Sequence, residues 1–219
     1  MDKKIIKIAE IILVSSIILL CGLLSYDYID KKRTEKYAEG LVGEINKIIE
    51  DNKDIDKDAL YVVNEENTSV SNNEEVVKAT VVQPQVKQIE ISGVNVFGKI
   101  KIDKIAIEYP IIEYKNEDSL WTSICKVSAN NIDGTGNLCL AGHNMRNLTM
   151  FGNLRKVQNG DKIEITDLKG KIFNYIVYDK FFIKPDETYI MDETDESIIT
   201  LITCNDSLDR RMIVRGKLQ

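Results

Sequence analysis

Chemistry is concentrated in the last twenty-odd residues. Cys204 closes the largely β-branched run Ile198-Ile-Thr-Leu-Ile-Thr-Cys204, the polar stretch Asn205-Asp-Ser-Leu-Asp-Arg210 follows, and a second such run goes from Arg211 to Arg215. Two β-branched runs joined by a short polar loop read as an antiparallel hairpin. In a hairpin the end of the first strand lies beside the start of the second, which puts the Cys204 thiol within reach of the Arg211 guanidinium. The chain contains a single histidine, His143, in Leu140-Ala-Gly-His-Asn144. A cysteine, a histidine and a fixed cation suit thiol acyl transfer. The thiolate is the nucleophile, and a thiol of pKa ~8.5 supplies little of it at neutral pH unless a cation or base is close. His143 can hold and return a proton, whereas an arginine stays charged and suits a substrate carbonyl or an oxyanion. Each residue also has a plain reading: a core cysteine, a turn histidine, a solvated arginine. Arg210 competes for the cationic role, but the spacing to Ile213-Val214 favours Arg211, and Arg215, two residues on along the strand, is read as structural.

Together these segments resemble the sortases, cysteine transpeptidases that attach surface proteins to the envelope of Gram-positive bacteria. Thr200-Leu-Ile-Thr-Cys204 is similar to their Thr-Leu-x-Thr-Cys signature, Gly136-Asn-Leu-Cys-Leu-Ala-Gly-His143 to their Gly-Asn-(apolar)-Gly-His segment, and Arg211-Met-Ile-Val-Arg-Gly216 to their closing Arg-x-(Ile/Val)-Val segment. A weaker match opens in Gly98-Lys-Ile-Lys-Ile102 and Ile105-Ala-Ile-Glu-Tyr-Pro-Ile111. Asn144-Met145 and Met150-Phe-Gly-Asn-Leu154 are similar to the class B pattern after the histidine, whereas the roughly fifteen residues between Phe182 and Ile198 leave no room for that class's long helical insertion.

The resemblance implies His143, Cys204 and Arg211 as the catalytic residues; no cofactor is expected, and the cysteines lack the paired spacing of a zinc site. It implies a Leu-Pro-x-Thr-Gly-like peptide on surface proteins as acyl donor, cut after Thr. The acceptor would be an amine of a peptidoglycan cross-bridge or of a pilin lysine. Ile183, Tyr189 and Ile190 are then candidates for the peptide-binding wall, with Ala141 and Thr203 lining its floor. The carboxylates Asp186, Glu187, Asp192, Glu193, Asp195 and Glu196 lack the spacing of a calcium loop and read as a solvated acidic segment. A hydrolytic cysteine peptidase and a catalytically silent anchored barrel are the competing readings.

The elements that must position these residues follow from periodicity. Val96–Ile102, Ile105–Ile112, Leu138–Ala141, Asp161–Thr166 and Lys171–Ile183 read as strands, and with the terminal hairpin they make about seven or eight short strands with little helix. That is the pattern of a mainly β fold, a closed or nearly closed barrel. Glu117–Lys126 reads as a helix with Leu120, Trp121 and Ile124 on one face. Residues 94–219 form the expected catalytic barrel. Ahead of it, Ile5–Leu24 approaches the ~20 apolar residues that span a bilayer, and no small-x-small cleavage site follows, so residues 1–29 are read as an uncleaved anchor. Lys3, Lys4 and Lys7 on one flank and Lys31, Lys32 and Arg33 on the other leave its direction open; the resemblance implies the N-terminus inside and the barrel outside the cell. Residues 30–93 are read as an amphipathic helix, with Tyr37, Leu41, Ile45, Ile48 and Ile49 on its apolar stripe, then a flexible spacer over Asn64–Gln88.

Composition narrows the partners. A net charge of −6 over 219 residues argues against a nucleic-acid surface. Of the four cysteines, Cys125 and Cys139 are the one plausible disulfide pair, and two buried free thiols are the favoured alternative.

Overall fold

The computed structural model describes residues 3–59, 90–91, 93–129 and 132–219. The expected spacer lies outside the described residues. Helix α1 (Lys3–Ala59) is followed by strands β1 (Glu90–Ile91), β2 (Val94–Ile102) and β3 (Ile107–Glu113), the short helix α2 (Glu117–Thr122), and strands β4 (Ile124–Lys126) and β5 (Asn137–Ala141). Strands β6 (Lys162–Asp167), β7 (Ile172–Ile183), β8 (Ile198–Cys204) and β9 (Arg211–Leu218) complete the chain. The sheet runs β1-β2-β3-β4-β5-β8-β9-β7-β6, and β6 pairs back onto β2, closing an eight-stranded barrel with β1 as an outlying edge. The expected mainly β barrel is therefore present.

Strand β2 shows why these sequences close. Its residues alternate strictly between buried and half-buried; Ile100 and Ile102 face the barrel interior, and Val96, before the bulge at Gly98, is buried beneath α1. At Gly98 the register to β3 shifts by a bulge, and a Cβ there would collide with the Thr166 carbonyl oxygen, so only glycine lets β6 approach and complete the barrel. The interior is filled by Ile100, Ile111, Leu140, Phe151, Ile163, Tyr175, Leu201 and Val214 among others.

Helix α1 is one continuous rod from the apolar N-terminal stretch into the amphipathic segment. Its packing face is Ala38, Val42, Ile45, Ile49 and Asn52, all buried, at steps of three and four residues. Ile45 and Ile49 meet Val94, Val96 and Ile112, and burying two such side chains contributes about 3–6 kcal/mol. Tyr37, expected on this stripe, is 51% exposed. Among the described residues, one helix is long and apolar enough to cross a membrane.

The helix expected over Glu117–Lys126 is shorter. α2 stops at Thr122, Ser123 is extended, and Ile124–Lys126 forms β4 in parallel with Ile111–Glu113 of β3. The β-branched Ile124 gains more from a wholly buried strand position than from another helical turn.

Candidate active site

The hairpin register places Cys204 directly opposite Arg211. An Arg211 guanidinium nitrogen, Nη1, donates to Cys204 Sγ at 3.3 Å. The loop between them is braced by Asn205, whose Nδ2 donates to Asp209 Oδ1 at 2.7 Å and whose Oδ1 accepts from the Arg210 amide at 3.1 Å. Both groups thus sit on strand ends that the loop braces. Arg210 itself is exposed and lies outside this contact.

β5 pairs in parallel with β8, Ala141 beside Ile202, so His143, two residues beyond β5, reaches the same barrel rim as Cys204. Two bonds lock that crossing: the Gly142 amide donates to the Ile202 carbonyl at 3.1 Å, and the Thr203 hydroxyl donates to the Gly142 carbonyl at 2.7 Å. Beneath them the buried Phe151 ring fills the space at Gly142, where an added Cβ would lie 2.8 Å from a ring carbon. The Phe151 amide also donates to the His143 carbonyl at 3.1 Å. Leu148 and Met150, in the loop that follows, have φ of +67° and +48°. Left-handed conformations at two non-glycine residues cost about 1–2 kcal/mol each, so the packing around Phe151 holds this loop against its own preference.

Helix α2 presents two residues to the histidine, and periodicity alone points to neither. Trp121 does not join Ile124 in the core; it is 61% exposed and its ring lies 4.0 Å from the His143 ring, centroid to centroid, tilted by 34°. Glu117, one turn earlier, places a carboxylate where it favours the protonated imidazole. Burial acts the other way and is the larger effect, drawing the His143 pKa below the ordinary histidine value. Nε2 is buried without a hydrogen-bond partner among the described residues. A neutral imidazole with an unengaged nitrogen at the rim can take up or return a proton. The only signal in the chain was the spacing of Glu117 and Trp121 at i and i+4 in a helix too short to bury both.

The candidate substrate residues divide by exposure. Ala141 is half-buried at the end of β5, and Thr203 is buried with its hydroxyl engaged at Gly142. Ile183 lies opposite Arg211 on β7, and it and Ile190 are buried against Ile213. Tyr189 is 52% exposed on the short 3-10 helix Tyr189–Met191.

That turn is held by Asn137, from the Gly-Asn pair that opens β5. Its Nδ2 donates to the Ile190 carbonyl at 2.9 Å and the Asp192 carbonyl at 3.1 Å, while its Oδ1 accepts from the Thr200 hydroxyl at 2.7 Å. A buried amide thus ties the β7–β8 connection to the strand leading to His143.

Among the described residues no three His, Cys, Asp or Glu side chains converge as a metal site requires. The carboxylates of Asp186 to Glu196 are spread along exposed backbone. Cys125 and Cys139 are buried free thiols whose pKa values burial pushes up to about 12. Both are enclosed in the fold, whereas Cys204 is half-buried.

Residues 100–219 match the Sortase domain family. A sortase A from Bacillus anthracis is 30% identical over 142 residues, 62% of this chain and 67% of that protein. A sortase A from Listeria monocytogenes is 32% identical over 127 residues, and this chain spans only 57% of its length. The solved structure of Listeria monocytogenes sortase A superposes with a TM-score of 0.53 at 32% identity, covering 57% of this chain and 87% of that one. A Clostridium perfringens sortase D5 transpeptidase superposes at 0.52 with 32% identity, covering 57% and 79%. With the family match extending over more than half of its residues, across the barrel that carries the cysteine, histidine and arginine, the chain belongs to the sortase family of cysteine transpeptidases.

Proposed function

We propose that the chain is a membrane-anchored transpeptidase with Cys204 as nucleophile, His143 as proton carrier and Arg211 as the cation that meets developing negative charge. The observation that carries this reading is the Arg211 guanidinium on Cys204 Sγ at 3.3 Å, on the rim to which β5 delivers His143. Cys204 gives its thiol proton to His143, and Sγ attacks a backbone carbonyl, forming a C–S bond; the carbonyl electrons move onto oxygen, where the guanidinium stabilises them. As the tetrahedral species collapses, the C–N bond breaks and His143 delivers its proton to the departing amine. An incoming amine attacks the thioester and gives a proton to His143, and the C–S bond breaks to restore the sulfur anion.

The donor is a Leu-Pro-x-Thr-Gly-like segment of a surface protein, lying along a wall whose exposed face is Tyr189, backed by the buried Ile183 and Ile190, above Ala141 and the buried Thr203. The acceptor is an amine of a peptidoglycan cross-bridge or a pilin lysine. Residues 1–29 cross the membrane with the N-terminus inside, residues 30–93 connect the anchor to the barrel, and residues 94–219 form the extracellular catalytic domain.

The test incubates full-length protein in detergent with a panel of such peptides and an amine, followed by mass spectrometry, with Cys204→Ala as control. A peptide–amine adduct absent from the control is expected. Hydrolysed peptide alone would favour a peptidase. No product, with Cys204 inert to a thiol reagent in the folded protein, would overturn the catalytic assignment.

A further inference from the structure

The polarity of α1 against the barrel says which end of the barrel faces the anchor. Strand register defines the two ends. Cys204, Arg211 and Ile183 share one end, since Arg211 pairs with both of the others. The β6–β7 turn at Leu168–Lys171 marks the other end, because Tyr175 near the start of β7 pairs with Leu218 at the close of β9. Helix α1 touches both. Asp30 Oδ2 accepts from Asn147 Nδ2 at 2.7 Å, in the loop that follows His143. Twenty-two residues later, Asn52 Nδ2 donates to the Leu168 carbonyl at 2.8 Å.

The apolar part of α1 lies before the first of these contacts. Ile11 to Leu24 is exposed throughout, Tyr26 and Tyr28 are exposed beyond it, and the contact with the barrel described here starts at Asp30. At 1.5 Å per residue, Asp30 is about 9 Å along the axis from Leu24, whereas Asn52 is about 42 Å away. The headgroup layer on one side of a bilayer is about 5–8 Å thick, and tyrosines prefer that level. Because α1 is one unbroken helix, any tilt short of lying flat preserves the order of the two contacts along the membrane normal.

We propose that the catalytic end of the barrel faces the bilayer surface, with the His143–Met150 loop at the lipid headgroups and the β6–β7 turn pointing away. This rests on the reading of residues 1–29 as a membrane anchor. The rim then accepts a peptide presented close to the lipid surface in preference to one held far from it, and the headgroups form one border of the approach to Cys204.

The chain has a single tryptophan, Trp121, stacked on His143 at that rim. In full-length protein in phosphatidylcholine vesicles, energy transfer from Trp121 to dansyl-labelled headgroups reports the height of the catalytic end. Trp121→Phe combined with Lys169→Trp moves the donor to the far end, and Trp121→Phe with Tyr26→Trp places it beside the anchor. Transfer is expected to be strong from position 26, intermediate at Trp121 and several-fold weaker at position 169. Equal transfer from 121 and 169, or the reverse order, with position 26 still strong, would overturn the orientation and leave the anchor intact. Weak transfer at position 26, with the protein failing to float with vesicles, would overturn the anchor reading and the orientation together.

Discussion

Replacing Trp121 with alanine tests whether α2 tunes the histidine or merely lies beside it. The indole covers one face of the imidazole at 4.0 Å and is itself 61% exposed. An aromatic contact is worth about 0.5–1.5 kcal/mol beyond burial, and so exposed a ring belongs in the lower half, about 0.5–1 kcal/mol. If that energy holds His143 in its working rotamer, Trp121→Ala lowers kcat by about 2–5-fold with little change in KM, and Trp121→Phe recovers most of it. Titration separates this from general loosening. Burial draws the His143 pKa down and Glu117 opposes it, so removing the indole admits water and moves the titration up toward the ordinary value. Glu117→Gln removes the opposing charge and moves it further down. With one histidine in the chain, selectively labelled histidine gives a single NMR titration curve with no assignment problem. Opposite displacements are expected from two residues one turn apart. Unchanged kcat in Trp121→Ala, or both variants moving the curve the same way, would refute the argument.

Other consequences are independent of that one. Arg211→Lys keeps the charge but loses the planar fork, so transpeptidation is expected to fall about 100-fold or more, the loss associated with one oxyanion donor, in a steady-state peptide–amine assay. Gly142→Ala drives a methyl into the Phe151 ring at 2.8 Å; the expected cost is about 1–3 kcal/mol of stability, with activity lost more steeply because His143 is the next residue. Asn137→Ala strips the Ile190 and Asp192 carbonyls and the Thr200 hydroxyl of their partner; about 2–4 kcal/mol is expected, read as a Tm lower by about 4–16 °C for a chain of this size. The native state binds the His143 proton less readily than the unfolded chain does, so stability decreases as pH falls through about 6.5, and Trp121→Ala flattens that dependence in melts at pH 7 and pH 5.

The hairpin was legible because everything that specifies it is local. β-branched residues favour the strands, the polar stretch 205–210 makes the loop, and antiparallel pairing leaves one register in which Cys204 faces Arg211. The strand positions of β2, β6 and β7 were readable for the same reason, and their number pointed to a barrel. What could not be read locally depends on chain segments that meet only after the barrel closes. β4 is three residues long and owes its existence to parallel pairing with β3 and antiparallel pairing with β5. Asn137 reads as a turn residue until it meets carbonyls 53 and 55 positions away and a hydroxyl 63 away.

Trp121 carries the same lesson into the site. Apolar periodicity assigns a tryptophan to the nearest hydrophobic face, because burial is the strongest average preference of such a ring. In α2, ending the helix at Thr122 gives Ile124 the buried strand position and leaves the indole pointing along the rim, where the nearest ring is His143. One boundary, set by whether β4 can pair, therefore decides both the barrel's closure and the histidine's surroundings. A change that restored helix through Lys126 would remove a strand and the stacking partner of His143 together.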